Sequence, residues 1–245
     1  MINSVIENIF RSVTRQPTDG LAPITGPKKQ GINHYREVTL QAQDKVYSRL
    51  RSINAALNDL NIANRQEFAT MRDLQPKYLE VSRNRAATLL LAIYHLKDDV
   101  RGLARALGRS GKIVDTFCSQ TTFITTCIDA GDTFKHGVGG HSKNYTVISH
   151  FAVVSHKPEG SDKSTILAII PIVVDREGKP HQADQLARAA MREWIPFLRD
   201  NLQLDTSSYE NDWQEPQGNG VWEYELPQEF TEQTKKYIDH LNRTS

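Results

Sequence analysis

The sequence predicts an α+β protein that is predominantly helical, an antiparallel helical core with an inserted two-stranded β-hairpin. Three observations predict it. Between Val38 and Leu107 apolar residues recur at helical spacing, and the block AATLLLAIYHL (Ala86 to Leu96) is apolar nearly all round, as a buried central helix requires. From Tyr145 to Val174 the period switches to two, in runs rich in β-branched residues. After Gln182 the helical spacing returns.

Composition bounds the class without naming an activity. The 245 residues carry 30 basic and 29 acidic side chains, and the net charge of +1 argues against a protein that lives by basic charge on nucleic acid or membranes. Gly 14, Pro 10 and Cys 2 exclude collagen-like and disulfide-scaffold chains. No window reaches the roughly 18 apolar residues that span a bilayer. The longest apolar run, Ile166 to Val174, is strand-sized and holds Pro171. With no basic n-region at the N-terminus a signal peptide is not expected, and a cytoplasmic protein without a membrane partner is. For the N-terminal apolar stripe a membrane-surface helix is the alternative to packing on the body or on a partner chain.

Residues 1–36 read as an amphipathic arm and a connector. Ile2, Val5, Ile6, Ile9, Phe10 and Val13 recur at helical spacing, and the Pro/Gly-rich stretch Gln16 to Gly31 has no period and is expected to be mobile. The main domain spans 37–203. Its first helix, Val38 to Asn61, aligns Leu40, Val46, Leu50, Ile53, Leu57 and Leu60. A short helix is expected over Arg65 to Met71, bounded near Pro76, and the central helix over Tyr78 to Leu107, with Gly108 as its C-cap.

Ile113, Phe117, Ile124, Ile128 and Phe134 predict one further helix, Lys112 to His136, ended by Gly137, although Thr121, Thr122, Thr125 and Thr126 lower its propensity. On such a helix Cys118 and Cys127 fall on opposite sides, about 13 Å apart along the axis, too far for a disulfide.

The hairpin occupies 144–175, its strands joined by KPEGSDKS and closed by DREGK. Pro171 must turn its N–H side to an edge or a bulge. The last core helix, Gln182 to Leu202, carries Leu186, Ala190, Ile195, Phe197 and Leu198 and is expected to kink at Pro196. Residues 204–245 read as an acidic, turn-rich tail with a last amphipathic helix over Gln228 to Leu241.

Charge is unevenly placed. Arg83, Arg85, Lys97, Arg101, Arg105, Arg109 and Lys112 against Asp98 and Asp99 give a segment of net +5, and the region from Asp200 onward nets −7. Two solvated surfaces account for this. The functional alternative turns Arg83, Arg85, Arg101, Arg105 and Arg109 towards the phosphates of an RNA partner.

Two spacings could carry chemistry. His95 and Asp99 are four apart at the end of the central helix, and Asp132 and His136 are four apart in DTFKH. A carboxylate so placed can accept the imidazole Nδ1 proton and fix the tautomer. On neighbouring antiparallel helices the two pairs would converge, with His95, Asp98 and Asp99 as a supporting polar network. The same residues could equally be a satisfied polar staple between helices.

A long helix ending in AIYHLKDD, followed about one helix later by DAGDTFKH, resembles the HEPN-like superfamily. More narrowly it resembles prokaryotic families with a YHL…D helix and a D…KH helix. Those families continue with a β-hairpin and a Trp-bearing helix, here IPIVVDREGKPHQADQLARAAMREWIPFL with Trp194. The resemblance covers about Tyr78 to Leu202, half of the chain.

It implies a HEPN-like core and, for active members, an arginine, a polar residue and a histidine four to six positions after the arginine. These serve metal-independent attack of an RNA 2′-hydroxyl on its own phosphodiester. The nearest match runs from Lys135 through His136 to His141. Lysine replaces the arginine and supplies a point charge without the bidentate fork, and the intervening glycines take His141 off the helix. Arg176 to His181 sits in a Pro/Gly turn and reads as turn chemistry.

The resemblance therefore implies a non-catalytic interaction or regulatory module of a prokaryotic stress or phage-defence system. The alternative is an endoribonuclease in which His136 and His141 exchange protons, Lys135 holds the phosphate and Asp132 orients His136. HEPN-like units commonly pair, and both faces of the hairpin are apolar (Val147, Phe151 and Val153; Ile148, Ala152 and Val154), so a homodimer or a subunit of a larger complex is expected.

No metal or cofactor is expected. His136, His141, His150 and His156 match no zinc spacing, and the GVGGH stretch lacks the context of a nucleotide-binding loop.

Overall fold

The first helix begins ten residues before the pattern places it, and the helical stretch after Gly108 breaks once more than the pattern suggests. The computed structural model describes residues 28–64, 76–136, 147–156, 166–175 and 177–214. The chain forms two compact units, Met1–Arg36 and Glu37–Ser245. The arm, the Arg65–Met71 helix, the hairpin loop, His141 and the Gln228–Leu241 helix lie outside the described residues.

Helix α1 (Lys28–Asn64) starts ten residues before Val38, so the end of the expected connector is helical. Within the second unit its stripe is buried at Val46, Leu50, Ile53, Leu57 and Leu60, whereas Leu40 is 38% exposed. Helix α2 (Pro76–Ala106) is the interior rod, with Ala86, Leu89, Leu90, Ile93, Leu96, Val100 and Leu103 fully buried. Each such Leu or Ile contributes on the order of 1.5–3 kcal/mol. Gly108 ends α2 at φ +71°, its N–H bonded to the Arg105 carbonyl (2.9 Å) and the Arg109 N–H to that of Ala104 (2.8 Å). This is a Schellman cap, which needs the left-handed conformation that glycine adopts without strain.

The single helix expected over Lys112 to His136 is two: α3 (Lys112–Gln120) and α4 (Thr122–His136). Thr121 is extended at φ −113°, ψ 107°. Threonine hydroxyls drive the break by competing for backbone partners. Thr121 Oγ1 donates to the Phe117 carbonyl (3.0 Å) and Thr125 Oγ1 to that of Cys118 (2.7 Å), while the Thr121 carbonyl accepts the Thr125 N–H (2.9 Å). Cys118 and Cys127 consequently sit on different helices, both as buried free thiols.

Strands β1 (Val147–His156) and β2 (Ile166–Val174) pair antiparallel from Val147 opposite Val174 to His156 opposite Ile166, with an irregularity between Ile148 and His150. A short third strand, β3 (Pro180–Gln182), adds to β2 at Ile172–Val174, so the hairpin belongs to a sheet of order β1-β2-β3. Asp175 builds the intervening turn: its Oδ1 accepts the N–H groups of Glu177 (2.9 Å) and Lys179 (2.8 Å), and its Oδ2 lies 2.8 Å from His181 Nε2. The turn chemistry read from this stretch thus rests on Asp175 and His181, with Arg176 outside the described residues.

Helix α5 (Ala183–Leu202) continues through the exposed Pro196 and buries Leu186, Ala190, Met191, Trp194 and Leu198. Phe117 of α3 stacks on Phe197 (centroids 4.1 Å apart) and meets Trp194 edge-on (5.1 Å).

The residues after α5 depart from the expected solvated tail. Leu204, Thr206 and Trp213 are at most 2% exposed, and Leu204 and Trp213 belong to the hydrophobic core. Arg188 donates to the carbonyls of Asp212 (3.2 Å) and Gln214 (3.0 Å), Asn54 to Asp212 (2.9 Å), and Tyr47 to the Asp205 carbonyl (3.0 Å). Residues 203–214 therefore form a strap across α1 and α5.

Candidate functional site

A close approach of α4 to α2 places the candidate residues. Gly131 of α4 abuts the Leu90 carbonyl and Tyr94 Cβ of α2, and the Arg83 guanidinium lies 5.9 Å from the centroid of the Phe134 ring. The two helices run antiparallel, since advancing along α4 from Gly131 to Phe134 moves back along α2 from Tyr94 to Arg83. The missing side chain at position 131 allows the contact, and it brings YHLKDD and DTFKH together.

Tyr94 is the centre of this junction. Its pKa is raised chiefly by burial, then by the nearby charges of Asp132 and Asp98, with a further hydrogen-bonding influence of Asp132. The Lys135 ammonium lies 5.3 Å from the Tyr94 ring centroid, a cation–π distance. His95 meets the same ring edge-on at 5.1 Å. Burial lowers the His95 pKa, as do Arg49 and Lys135, against the opposing charges of Asp98 and Asp99.

The expected i, i+4 pairs behave differently from each other. Asp99 does not hold His95; its Oδ2 accepts Arg49 Nε of α1 at 2.9 Å. The correction has a simple cause, because guanidinium is a permanent cation and outcompetes an imidazole whose charged form is disfavoured. Asp132 and His136 are neighbours, but His136 Nε2 lies 3.9 Å from Asp132 Oδ1, beyond hydrogen-bond reach. Their side chains are 11% and 31% exposed, respectively.

The five arginines named for a phosphate partner are dispersed among other contacts. Arg85 pairs with Asp59 of α1 (3.0 Å), and Arg83 covers Phe134. Arg101 bridges Asp98 (2.8 Å) and Asp115 of α3, and Arg109 donates to the Asn201 carbonyl at the end of α5. Lys97 also lies 3.9 Å from Asp115. Counting charge within one segment missed Asp59 and Asp115, which other helices supply. Arg105 is exposed beside Gly111, where a Cβ would lie 3.3 Å from its Nε.

Among the described residues no group of three or more His, Cys, Asp or Glu could hold a metal ion, and no helix is long and apolar enough to cross a membrane. Sequence reasoning quoted Tyr94 and Gly131 in the motifs but gave neither a role. Their signal was the small residue set one turn before the KH pair, facing an aromatic on the most apolar helix. Comparison with family models, with curated proteins and with solved structures finds no significant match.

Proposed function

We propose that the chain is a non-catalytic interaction or regulatory module, in which the α2–α4 junction serves packing and not bond cleavage. One observation carries the reading: the Lys135 ammonium lies 5.3 Å from the Tyr94 ring centroid, and the charge of Asp132, 8% exposed, acts on the same tyrosine. Residues that would orient a histidine and hold a phosphate are turned instead to one tyrosine of the neighbouring helix. The resemblance to HEPN-like families supplies the setting, a prokaryotic stress or phage-defence system.

The second reading, a metal-independent endoribonuclease, draws support from the partial exposure of His136 beside Asp132 and Lys135. In it His136 takes the 2′-hydroxyl proton, the 2′-oxygen bonds to phosphorus, and the P–O5′ bond breaks as His141 protonates the departing oxygen. Incubation of the pure protein with total RNA in EDTA separates the two. The module reading expects no cleavage above that of His136→Ala and His141→Ala. Cleavage abolished by both substitutions, with helical circular dichroism unchanged, overturns it.

A further inference from the structure

The sheet ends in an edge that its own sequence leaves undefended. Strand β1 has β2 as its only strand neighbour among the described residues. Val147–His156 contains no Asp, Glu, Lys, Arg or Pro, the residues that ordinarily keep an edge from pairing. The irregularity between Ile148 and His150 breaks the regular ladder at one end and leaves His150–His156 as an uninterrupted run.

The direction of the backbone groups follows from Pro171. The Asp175 N–H bonds to the Lys179 carbonyl on the β3 side of β2 (2.9 Å). Strand alternation gives Val173 and Pro171 that same side, so the missing N–H of Pro171 falls just past Ile172, where β3 stops. Phe151 is the partner of Pro171 and Val153 that of Ile169. These are wide pairs, whose N–H and C=O groups point away from each other. Phe151, Val153 and Ser155 therefore direct their backbone groups outward, to the edge that no other described strand occupies.

We propose that this edge pairs antiparallel with β1 of a second copy of the chain, about a two-fold axis at Val153. Val153 then stands opposite the partner's Val153 and Phe151 opposite the partner's Ser155, each pair exchanging two backbone hydrogen bonds. Charge selects the occupant. At a two-fold axis the central residue meets its own copy and its neighbours meet each other's counterparts, so a charge on this strand would lie near its own like charge, and Val147–His156 carries no Asp, Glu, Lys or Arg. The register uses only the regular run, and it joins two three-stranded sheets into one of six strands. The proposal stands apart from the reading of the α2–α4 junction, and the RNA experiment leaves it untouched.

The test is the mass of the full chain in solution. At tens of micromolar, light scattering is expected to give about twice 27.7 kDa. Val153→Pro removes an N–H that the β1–β2 ladder does not use, so the single-chain mass is expected with circular dichroism unchanged. Ala152→Pro, whose N–H points to β2, is expected to disrupt the hairpin itself. Should Val153→Pro misfold, Val153→Lys places like charges at the axis and decides the matter. A wild-type monomer overturns the proposal, as does a dimer that survives in a folded Val153→Pro or Val153→Lys variant.

Discussion

A Cβ on Gly131 would lie 2.5 Å from the Cβ of Tyr94 and 3.1 Å from the Leu90 carbonyl oxygen. Both opposing atoms sit on or next to the backbone of the interior helix, where neither can rotate aside. Gly131→Ala gains about 1 kcal/mol of helix propensity but incurs overpacking of about 1–3 kcal/mol. The clash is expected to win and lower the denaturation midpoint. An alanine variant more stable than the parent would show that α2 and α4 are further apart.

Tyr94→Phe tests whether the tyrosine hydroxyl donates to Asp132, whose charge acts on it. Loss of such a donor to a carboxylate 8% exposed is expected to cost about 1–3 kcal/mol. Combining it with Asp132→Asn is expected to cost less than the sum of the two single changes, because they remove one interaction. Additive costs in a denaturant double-mutant cycle would disprove the contact.

Much of this architecture is legible in the residues, and the misses share a cause. The interior helix declares itself because Ala86–Leu96 is apolar nearly all round, and Gly108 marks its end by the left-handed conformation it must adopt. The break at Thr121 is harder to read. Ile113, Phe117, Ile124 and Ile128 keep helical spacing across it, and only the hydroxyl competition for the Phe117 and Cys118 carbonyls interrupts the chain. Asp99 and Arg49 are 50 residues apart and Asp115 meets Arg101 across a turn, so no local window reveals which carboxylate meets which cation. Trp213 hides among polar neighbours, since a strap anchored at the irregularly spaced Leu204, Thr206 and Trp213 has no period.

The strap gives the next prediction. Trp213 is 1% exposed, so Trp213→Ala is expected to cost about 3–5 kcal/mol. Arg188→Met keeps volume but leaves the Asp212 and Gln214 carbonyls without their charged donor, at about 1.5–3 kcal/mol. Protease nicking between 203 and 214 is expected to accelerate in both variants, whereas an unchanged nicking rate would mean that the strap is held elsewhere.

Two ionisable groups pull stability in opposite senses with pH. His95 has a lowered pKa, chiefly from burial, so the unfolded chain binds its proton more readily. Its contribution is full above the ordinary value near 6.5 and is lost as pH falls through that value towards the lowered one. His95→Gln is therefore expected to flatten the decline in midpoint between about pH 7 and pH 5.

Asp184 has a raised pKa, again chiefly from burial, and the N–H groups of Gln185 and Asp184 and the charge of Arg188 only partly oppose it. Its Oδ1 is buried without a hydrogen-bond partner among the described residues. The folded chain binds this proton more readily, so the site favours folding at acid pH, and that benefit is lost as pH rises from 3.8 through the raised value. Asp184→Asn cannot ionise, and it is expected to raise the midpoint at neutral pH while making little difference at acid pH. A loss of stability at neutral pH would mean that the ionised carboxylate is worth more to the first turn of α5 than its burial costs.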